Sequence, residues 1–189
     1  METGYLILAL LLFVIELFRD HQTPFLNLGM MAMGTVYIGL PMGFLPSLLY
    51  HGGIGSYHPA ILIFILIIIW VHDSGAYLVG ITFGKTPLIK KISPKKTVEG
   101  LIGGIVLGFA AVWVFSLVST PVSRGELFIL AAVIMIFANL GDLFESKWKR
   151  HLGIKDSGKS LPGHGGWLDR LDSFLMALPA VYLTLEFLK

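Results

Sequence analysis

Six long apolar runs constrain this chain more than any other feature of its sequence. They lie at about residues 4–18, 25–49, 60–82, 98–118, 126–144 and 173–188. A helix needs roughly 17–25 residues to cross the core of a bilayer, and most of the runs reach that length. Helices that are apolar on every side cannot all be buried in a soluble protein of 189 residues. The sequence therefore predicts an all-α fold, a polytopic helical integral membrane protein with about six transmembrane helices.

The composition supports this fold class. Charged residues make up 14% of the chain, against about 25% in soluble domains. The chain has no Cys, which excludes disulfides and thiolate chemistry. Pro41 and Pro46 lie within the second run and predict a kink or a break there. We predict one membrane-embedded domain, 1–189, with an N-terminal helical part at 1–58 and a catalytic part at 59–189.

The basic residues indicate how the helices are oriented. One lies between the first two runs, five lie between the third and fourth, and six lie between the fifth and sixth, so twelve of the 14 Lys and Arg share one side. They are Arg19, Lys85, Lys90, Lys91, Lys95, Lys96, Lys147, Lys149, Arg150, Lys155, Lys159 and Arg170. Short loops rich in Lys and Arg stay in the cytoplasm, so we expect these three loops to be cytoplasmic. Both ends would then face outward, and because the first run is short and begins just after Met1 we expect further helices before it in the natural protein.

Four acidic residues stand in or beside the apolar runs. Asp73 lies inside the third run, Asp142 ends the fifth, and Asp169 and Asp172 open the sixth. An ionised carboxylate at membrane depth is costly unless it faces water or a cation. Asp169 and Asp172 share one helix face, and together with Asp142 they would offer the oxygen ligands that Mg²⁺ prefers.

These residues also have simpler interpretations. Asp169 or Asp172 alone is more often a helix N-cap, and Asp142 could pair with Lys147 at the surface. The Lys and Arg residues could anchor the topology or bind anionic lipid headgroups. His164 alone could be an ordinary loop residue.

The polar loop at 155–173, KDSGKSLPGHGGWLDRLDS, contains further candidate functional residues. Glycines flank His164, and N–H groups in such a turn can bind an anion. A second basic segment, ISPKKTVEG at 92–100, precedes a helix start at about Val98, where Thr97 and the helix N-terminus suit a phosphate. Acids, basic residues and glycines on one face predict phosphoryl or nucleotidyl transfer at a membrane surface.

Residues 146–173 resemble the signature of the phosphatidate cytidylyltransferases, or CDP-diacylglycerol synthases. The matching residues are Ser146, Lys149, Arg150, Lys155, Asp156, His164, Gly165, Gly166, Asp169, Arg170 and Asp172. The stretches DSGAYLVGITFGK (73–85) and SPKKTVEGLIGG (93–104) are also similar to the family. Bacterial members generally carry additional N-terminal helices. The resemblance implies transfer of CMP from CTP to phosphatidate with release of pyrophosphate, a requirement for Mg²⁺, and a second cation such as K⁺.

The resemblance also implies roles for individual residues. The metal ligands would be Asp142, Asp169 and Asp172. The catalytic set would add Lys149, Arg150, Lys155, Asp156, His164 and Arg170. Substrate would be bound by Asp73, Ser93, Lys95, Lys96, Thr97, Gly165 and Gly166. The expected partners are CTP and phosphatidate in a bacterial inner membrane, with the site facing the cytoplasm; no nucleic acid is expected, and a homodimer is left open.

Two other functions compete with this one. A CTP-dependent kinase of a polyprenol or of phytol, from a distantly related family, would transfer the γ-phosphoryl group to an alcohol. A cation transporter or channel could use Asp73, Asp142 and Asp169 as an ion path, but it leaves the Lys-rich loops and the His-Gly-Gly turn unexplained.

Overall fold

The computed structural model describes residues 2–19, 23–50, 57–117, 122–158, 160 and 165–188. Within them the helices are α1 (Glu2–Leu17), α2 (Pro24–Gly34), α3 (Leu40–Leu49), α4 (Ala60–Phe83), α5 (Val98–Phe115), α6 (Arg124–His151) and α7 (Leu168–Leu188). Each predicted run coincides with a helix or a helix pair, and the described chain is 78% helical. The all-α membrane fold is therefore confirmed.

Five helical segments in the described ranges are long and apolar enough to cross a bilayer. They are Pro24–Leu49, Ala60–Phe83, Val98–Phe115, Arg124–His151 and Leu168–Leu188. The first predicted run also forms a helix, but α1 has only 16 residues. It is thus shorter than the roughly 17–25 residues of a spanning helix.

The second run continues through its prolines instead of breaking. A π-helical turn, Thr35–Gly39, joins α2 to α3, and the Leu40 N–H bonds to the Thr35 carbonyl five residues earlier. Pro41 follows directly and has no N–H to donate, so the wider turn lets the helix pass it. The turn buries Tyr37, which contacts Phe144 and Trp148 of α6.

The basic segment between the third and fourth runs forms a β-hairpin that the sequence did not predict. Strands β1 (Pro87–Ile89) and β2 (Ser93–Thr97) pair antiparallel. The hairpin is tied to α5, because the Glu99 carboxylate accepts the N–H groups of Lys85 and Thr86 at 3.1–3.2 Å. Thr97 caps the same helix by accepting the Gly100 N–H at 3.1 Å, which confirms the predicted helix start at Val98.

The helices pack as two main pairs, α4 with α5 and α6 with α7, and smaller interfaces join the pairs. Glycines allow the first pair to approach closely. A Cβ atom at Gly104 would lie 2.6 Å from the His72 carbonyl oxygen, and one at Gly100 would lie 2.6 Å from that of Ala76. The second pair contributes much of the buried core, including Ile134 and Leu178.

Helix α6 is longer than its apolar run. It begins at a capping box in which Ser123 and Glu126 bond reciprocally, and it ends seven residues beyond the predicted limit of 144. Lys147, Lys149 and Arg150 therefore lie on the last turns of a helix and not in a loop. Basic residues are favourable there because they face the negative end of the helix dipole.

Candidate active site

A cavity of about 610 Å³ lies where the hairpin meets α4, α5 and α6. Its lining combines charged, polar and apolar side chains. The lining residues are Asp73, Ala76, Tyr77, Gly80, Ile81, Leu88, Lys95, Lys96, Thr97, Leu101, Asn139 and Asp142. Five residues predicted to act here therefore share one cavity: Asp73, Lys95, Lys96, Thr97 and Asp142. Such mixed clefts are the usual form of a small-molecule site.

One ion pair spans this cavity. Lys96, on β2, contacts the Asp142 carboxylate near the end of α6. Both side chains keep about a third of their surface exposed, at 28% and 32%. The other Asp142 oxygen accepts the Ser146 hydroxyl at 3.2 Å. Asp142 thus pairs with Lys96 and not with Lys147, and both charges remain open to a ligand.

Asn139 lies one turn before Asp142 and is held by a buried histidine. Its amide nitrogen donates to the Met135 carbonyl at 2.8 Å and lies 2.5 Å from His72 Nε2. The Met135 carbonyl fixes which end of the amide is nitrogen, so His72 Nε2 must accept the second amide hydrogen. Asn139 therefore sits in the cavity wall with both donor hydrogens already used.

A second charged cluster joins the end of α6 to the start of α7. Lys149 Nζ lies 2.6 Å from Glu145 and 2.7 Å from Asp169. Asp169 also accepts the Gly166 N–H at 2.7 Å, the Ser157 N–H at 2.9 Å and the Ser157 hydroxyl at 2.9 Å. A carboxylate has about four lone-pair positions, so Asp169 is saturated by its own chain.

The glycine turn takes part in this cluster. Gly165 has φ +81°, in the left-handed region that glycine adopts without strain. A Cβ there would lie 2.8 Å from an Asp169 oxygen. Of the described residues of this turn, Gly166 donates its N–H to the Asp169 carboxylate, and binding of a substrate anion by the turn stays a prediction.

Asp172 is buried beside Glu145, 7% and 1% exposed. One Asp172 oxygen accepts the Ser173 N–H at 2.6 Å. Glu145 Oε1 and the Tyr37 hydroxyl are both buried with no hydrogen-bond partner. These buried acids and the phenol lie between the π-helical turn, α6 and α7 and do not line the cavity, although Asp172 is close enough to Asp142 for the two side chains to interact electrostatically.

The other predicted residues lie around these two regions. Ser93 is on β2, outside the cavity lining. Arg150, Lys155 and Asp156 are exposed on the end of α6 and the following loop, and Arg170 is exposed in the first turn of α7. His164 and Lys159 lie outside the described residues.

Sequence reasoning missed Glu145, Asn139 and Tyr37. Glu145 carried a usable signal, since it is three residues after Asp142 and four before Lys149 and would share a face with both if the helix continued. The signal for Asn139 was weaker and consisted only of its position one helical turn before Asp142. No sequence signal pointed to Tyr37, because its position depends on the π-helical turn.

The predicted metal ligands do not converge in this structure. Among the described residues no group of three or more His, Asp or Glu side chains could hold a metal ion. The donor chemistry fits Mg²⁺, since Asp142, Asp172 and Glu145 supply carboxylate oxygens and Glu145 Oε1 lacks a partner. The metal site stays a prediction.

The chain is similar to known proteins over almost its whole length. A family model described as the cytidylyltransferase family matches residues 1–188. The phosphatidate cytidylyltransferase of Bacillus subtilis is 39% identical over 98% of this chain and 68% of its own. That of Thermotoga maritima is 35% identical over 90% of this chain and 64% of its own. The chain thus spans about two thirds of the length of these relatives.

A solved structure shares the fold. It belongs to an intramembrane enzyme of archaeal membrane-lipid biosynthesis, with a TM-score of 0.50 and 25% identity over 65% of this chain and 77% of that one. The resemblance in residues 146–173 is thereby confirmed, and the chain belongs to the cytidylyltransferase family, whose curated members named here are phosphatidate cytidylyltransferases.

Proposed function

We propose that this chain transfers CMP from CTP to phosphatidate, giving CDP-diacylglycerol and pyrophosphate. The observation that carries the proposal is the open Lys96–Asp142 pair, which faces a cavity of mixed polarity between membrane helices in a chain of this family. A water-soluble nucleotide and a lipid headgroup can meet only at such a boundary.

The reaction needs charge neutralisation more than a strong base. The nucleophile is an oxygen of the lipid phosphate, which is already anionic. It forms a bond to the α-phosphorus of CTP as the bond from that phosphorus to the bridging oxygen breaks, and pyrophosphate leaves with the electron pair. Repulsion between the phosphates opposes this attack, so fixed positive groups lower the barrier.

The residues of the cavity wall supply part of that charge. Lys95 and Lys96 stand beside each other on β2, and Lys96 is held by Asp142. A phosphate in the cavity would draw Lys96 away from that carboxylate at little cost, because neither charge is fully buried. Lys149 is committed to Glu145 and Asp169, and it holds the polar loop in place.

Mg²⁺ is part of this proposal, with Asp142 the predicted ligand that faces the cavity. Bound there, the ion would offset the negative charge of the triphosphate. Asp169 would join it only after giving up donors it now binds. A second cation such as K⁺, a homodimer and the lack of a nucleic-acid partner stay predictions.

One assay tests the activity against its nearest competitor. Purified protein is given phosphatidate and CTP labelled at either the α- or the γ-phosphorus, with and without Mg²⁺. Label from the α-position should enter the lipid in the presence of Mg²⁺. Entry of γ-label into an added polyprenol or phytol, with none from the α-position, would establish the kinase instead.

The orientation can be tested separately. We propose that the hairpin and the polar loop face the cytoplasm of a bacterial cell from its inner membrane, because twelve of the 14 Lys and Arg lie on that side. The chain has no native Cys, so a Lys90→Cys variant carries one thiol. An impermeant thiol reagent should label it only after the cells are opened, and labelling of intact cells would reverse the topology.

A further inference from the structure

An apolar groove of about 410 Å³ lies between α5 and α6, below strand β1. Its walls come from both helices and from the hairpin. The lining residues are Leu88, Ile89, Leu101, Ile105, Phe109, Ala132, Met135, Ile136, Asn139, Leu140 and Leu143. Of these, Asn139 alone has a polar side chain, so the groove cannot bind a charged or sugar-like group.

The groove adjoins the polar cavity. Leu88, Leu101 and Asn139 line both spaces. Asn139 stands at the junction, and His72 and Met135 use both of its amide hydrogens. On one side of this junction lies the Lys96–Asp142 pair, and on the other side there is only hydrocarbon. The two adjoining spaces therefore differ in polarity: the cavity is lined by charged groups and the groove is apolar.

The shape of the groove fits a chain that enters from the bilayer. From Asn139 to Ala132 the α6 wall covers seven residues, or about 10 Å at the helical rise. Phe109 stacks on Phe128 at the deep end, with ring centroids 6.0 Å apart. Ile136 and Leu140 are 57% and 47% exposed, so the groove is open sideways to lipid.

We propose that this groove is an acyl-chain subsite, which holds the headgroup-proximal part of one chain of the phosphatidate whose phosphate lies in the polar cavity. The inference rests on the proposed function and adds to it where the lipid lies. The apolar end takes the first methylenes, Asn139 marks the glycerol level, and the phosphate reaches Lys96.

The groove promotes the reaction by orienting the lipid more than by increasing the affinity for it. A lipid tail leaves one apolar environment for another, so little free energy is gained from burial. A tail fixed beside α5 and α6 instead orients the phosphate toward the cavity, and such alignment affects rate strongly.

Ala132→Phe tests this subsite, because it places a ring in the deep end of the groove. Ala110→Phe is the matched control, since Ala110 is exposed on α5 and lines neither space. Each variant is assayed with long-chain dioleoyl phosphatidate and with short-chain dihexanoyl phosphatidate. We expect Ala132→Phe to lower kcat/KM about tenfold for the long-chain lipid, to leave the short-chain lipid and the KM for CTP nearly unchanged, and Ala110→Phe to affect neither.

The outcomes separate this inference from the proposed function. If wild type makes CDP-diacylglycerol and Ala132→Phe slows both lipids equally or neither, the subsite is wrong and the function stands. If wild type makes none, the function itself fails. A photoreactive group on the acyl chain, mapped on wild-type protein, gives a test that needs no variant. Labelling of Ile105, Met135 or Ile136 supports the subsite, and labelling confined to the separate α2–α6 groove around Met30 and Phe144 overturns it.

Discussion

The two charged regions of this molecule differ in how many hydrogen-bond and ion-pair partners their charged groups have within the protein. In the cavity, Lys96 and Asp142 pair with each other across the hairpin and α6 and stay about a third exposed. At the junction of α6 and α7, Lys149 binds Glu145 and Asp169, and Asp169 takes three further donors from Ser157 and Gly166.

This difference separates groups that can bind a ligand from groups that build the fold. Removing one partner of a largely buried charge network leaves the others uncompensated and is destabilising. A pair that stays about a third exposed beside an open cavity should contribute less to stability than a fully buried one. Substitutions in the cavity should therefore affect turnover without affecting folding, and substitutions in the cluster should affect both.

Asp142→Asn should have the largest effect on activity. It removes a charge from the cavity and keeps the shape of the side chain, and the loss of one such electrostatic contact typically costs roughly 10²–10³ in rate. Turnover is measured as α-label entering lipid at limiting and saturating Mg²⁺, and thermal stability is measured in parallel. Ser146→Ala, which removes only a hydrogen bond to the same carboxylate, should cost far less. Normal turnover of Asp142→Asn at limiting Mg²⁺ would contradict both the metal role and the comparison.

Asp169→Asn should have the second-largest effect on activity, and unlike Asp142→Asn it should also lower the stability of the fold. An amide cannot accept all the donors that the carboxylate accepts, so the glycine turn loosens and Lys149 loses a partner. We expect a loss of roughly 2 kcal/mol in stability together with a fall in activity of roughly 10². Thermal unfolding in detergent and limited proteolysis of the loop measure the first effect. If activity falls while the unfolding temperature and cleavage rate stay at wild-type values, Asp169 acts on substrate or metal and not on the loop.

Glu145→Gln should have an intermediate effect of about tenfold on activity. Glu145 holds Lys149 on one side, and its other oxygen has no partner. If its role is to position Lys149, the change should not add to Lys149→Met, which removes the same ion pair. A double-mutant cycle on kcat/KM for CTP measures this coupling. Additive losses would show that Glu145 acts independently of the lysine.

Lys90→Gln should have the smallest effect. Lys90 is exposed at the hairpin tip and does not line the cavity, so we expect activity within about twofold of wild type at moderate salt. The same change at Lys96 removes a charge from the cavity and should cost at least about tenfold. Equal effects of the two changes would mean that the hairpin acts by its overall charge and not through the side chain at Lys96.

The helical part of this structure was predictable because hydropathy acts over whole segments. The runs at 60–82 and 173–188 needed only their length and composition, and both are helices. The end of α6 was missed for the same reason: residues 145–151 are polar, so hydropathy placed a loop where the helix continues. The hairpin was missed because β2, with two lysines and a proline, has little strand propensity. Its stability comes from bonds to α5 that are distant in sequence.

The sequence predicted which residues form the site better than it predicted how those residues are arranged in space. Lys96, Asp73 and Asp142 were expected to act and do share a cavity. The sequence could not show that Asp169 would be saturated by its own loop, because that depends on the close approach of Gly166 and Ser157. It also could not show that Asn139 lies at the junction of two spaces, which depends on how α5 and α6 pack.

The bonds from Glu99 to Lys85 and Thr86 have a mechanical consequence. They join the start of the hairpin to the first turn of α5, so the hairpin is a stiff extension of the α4–α5 pair and not a loose flap. The Lys96–Asp142 contact then crosses the seam between that pair and the α6–α7 pair, where the packing is thinner. A substrate phosphate that draws Lys96 away from Asp142 would therefore remove one of the contacts that hold the two helix pairs together.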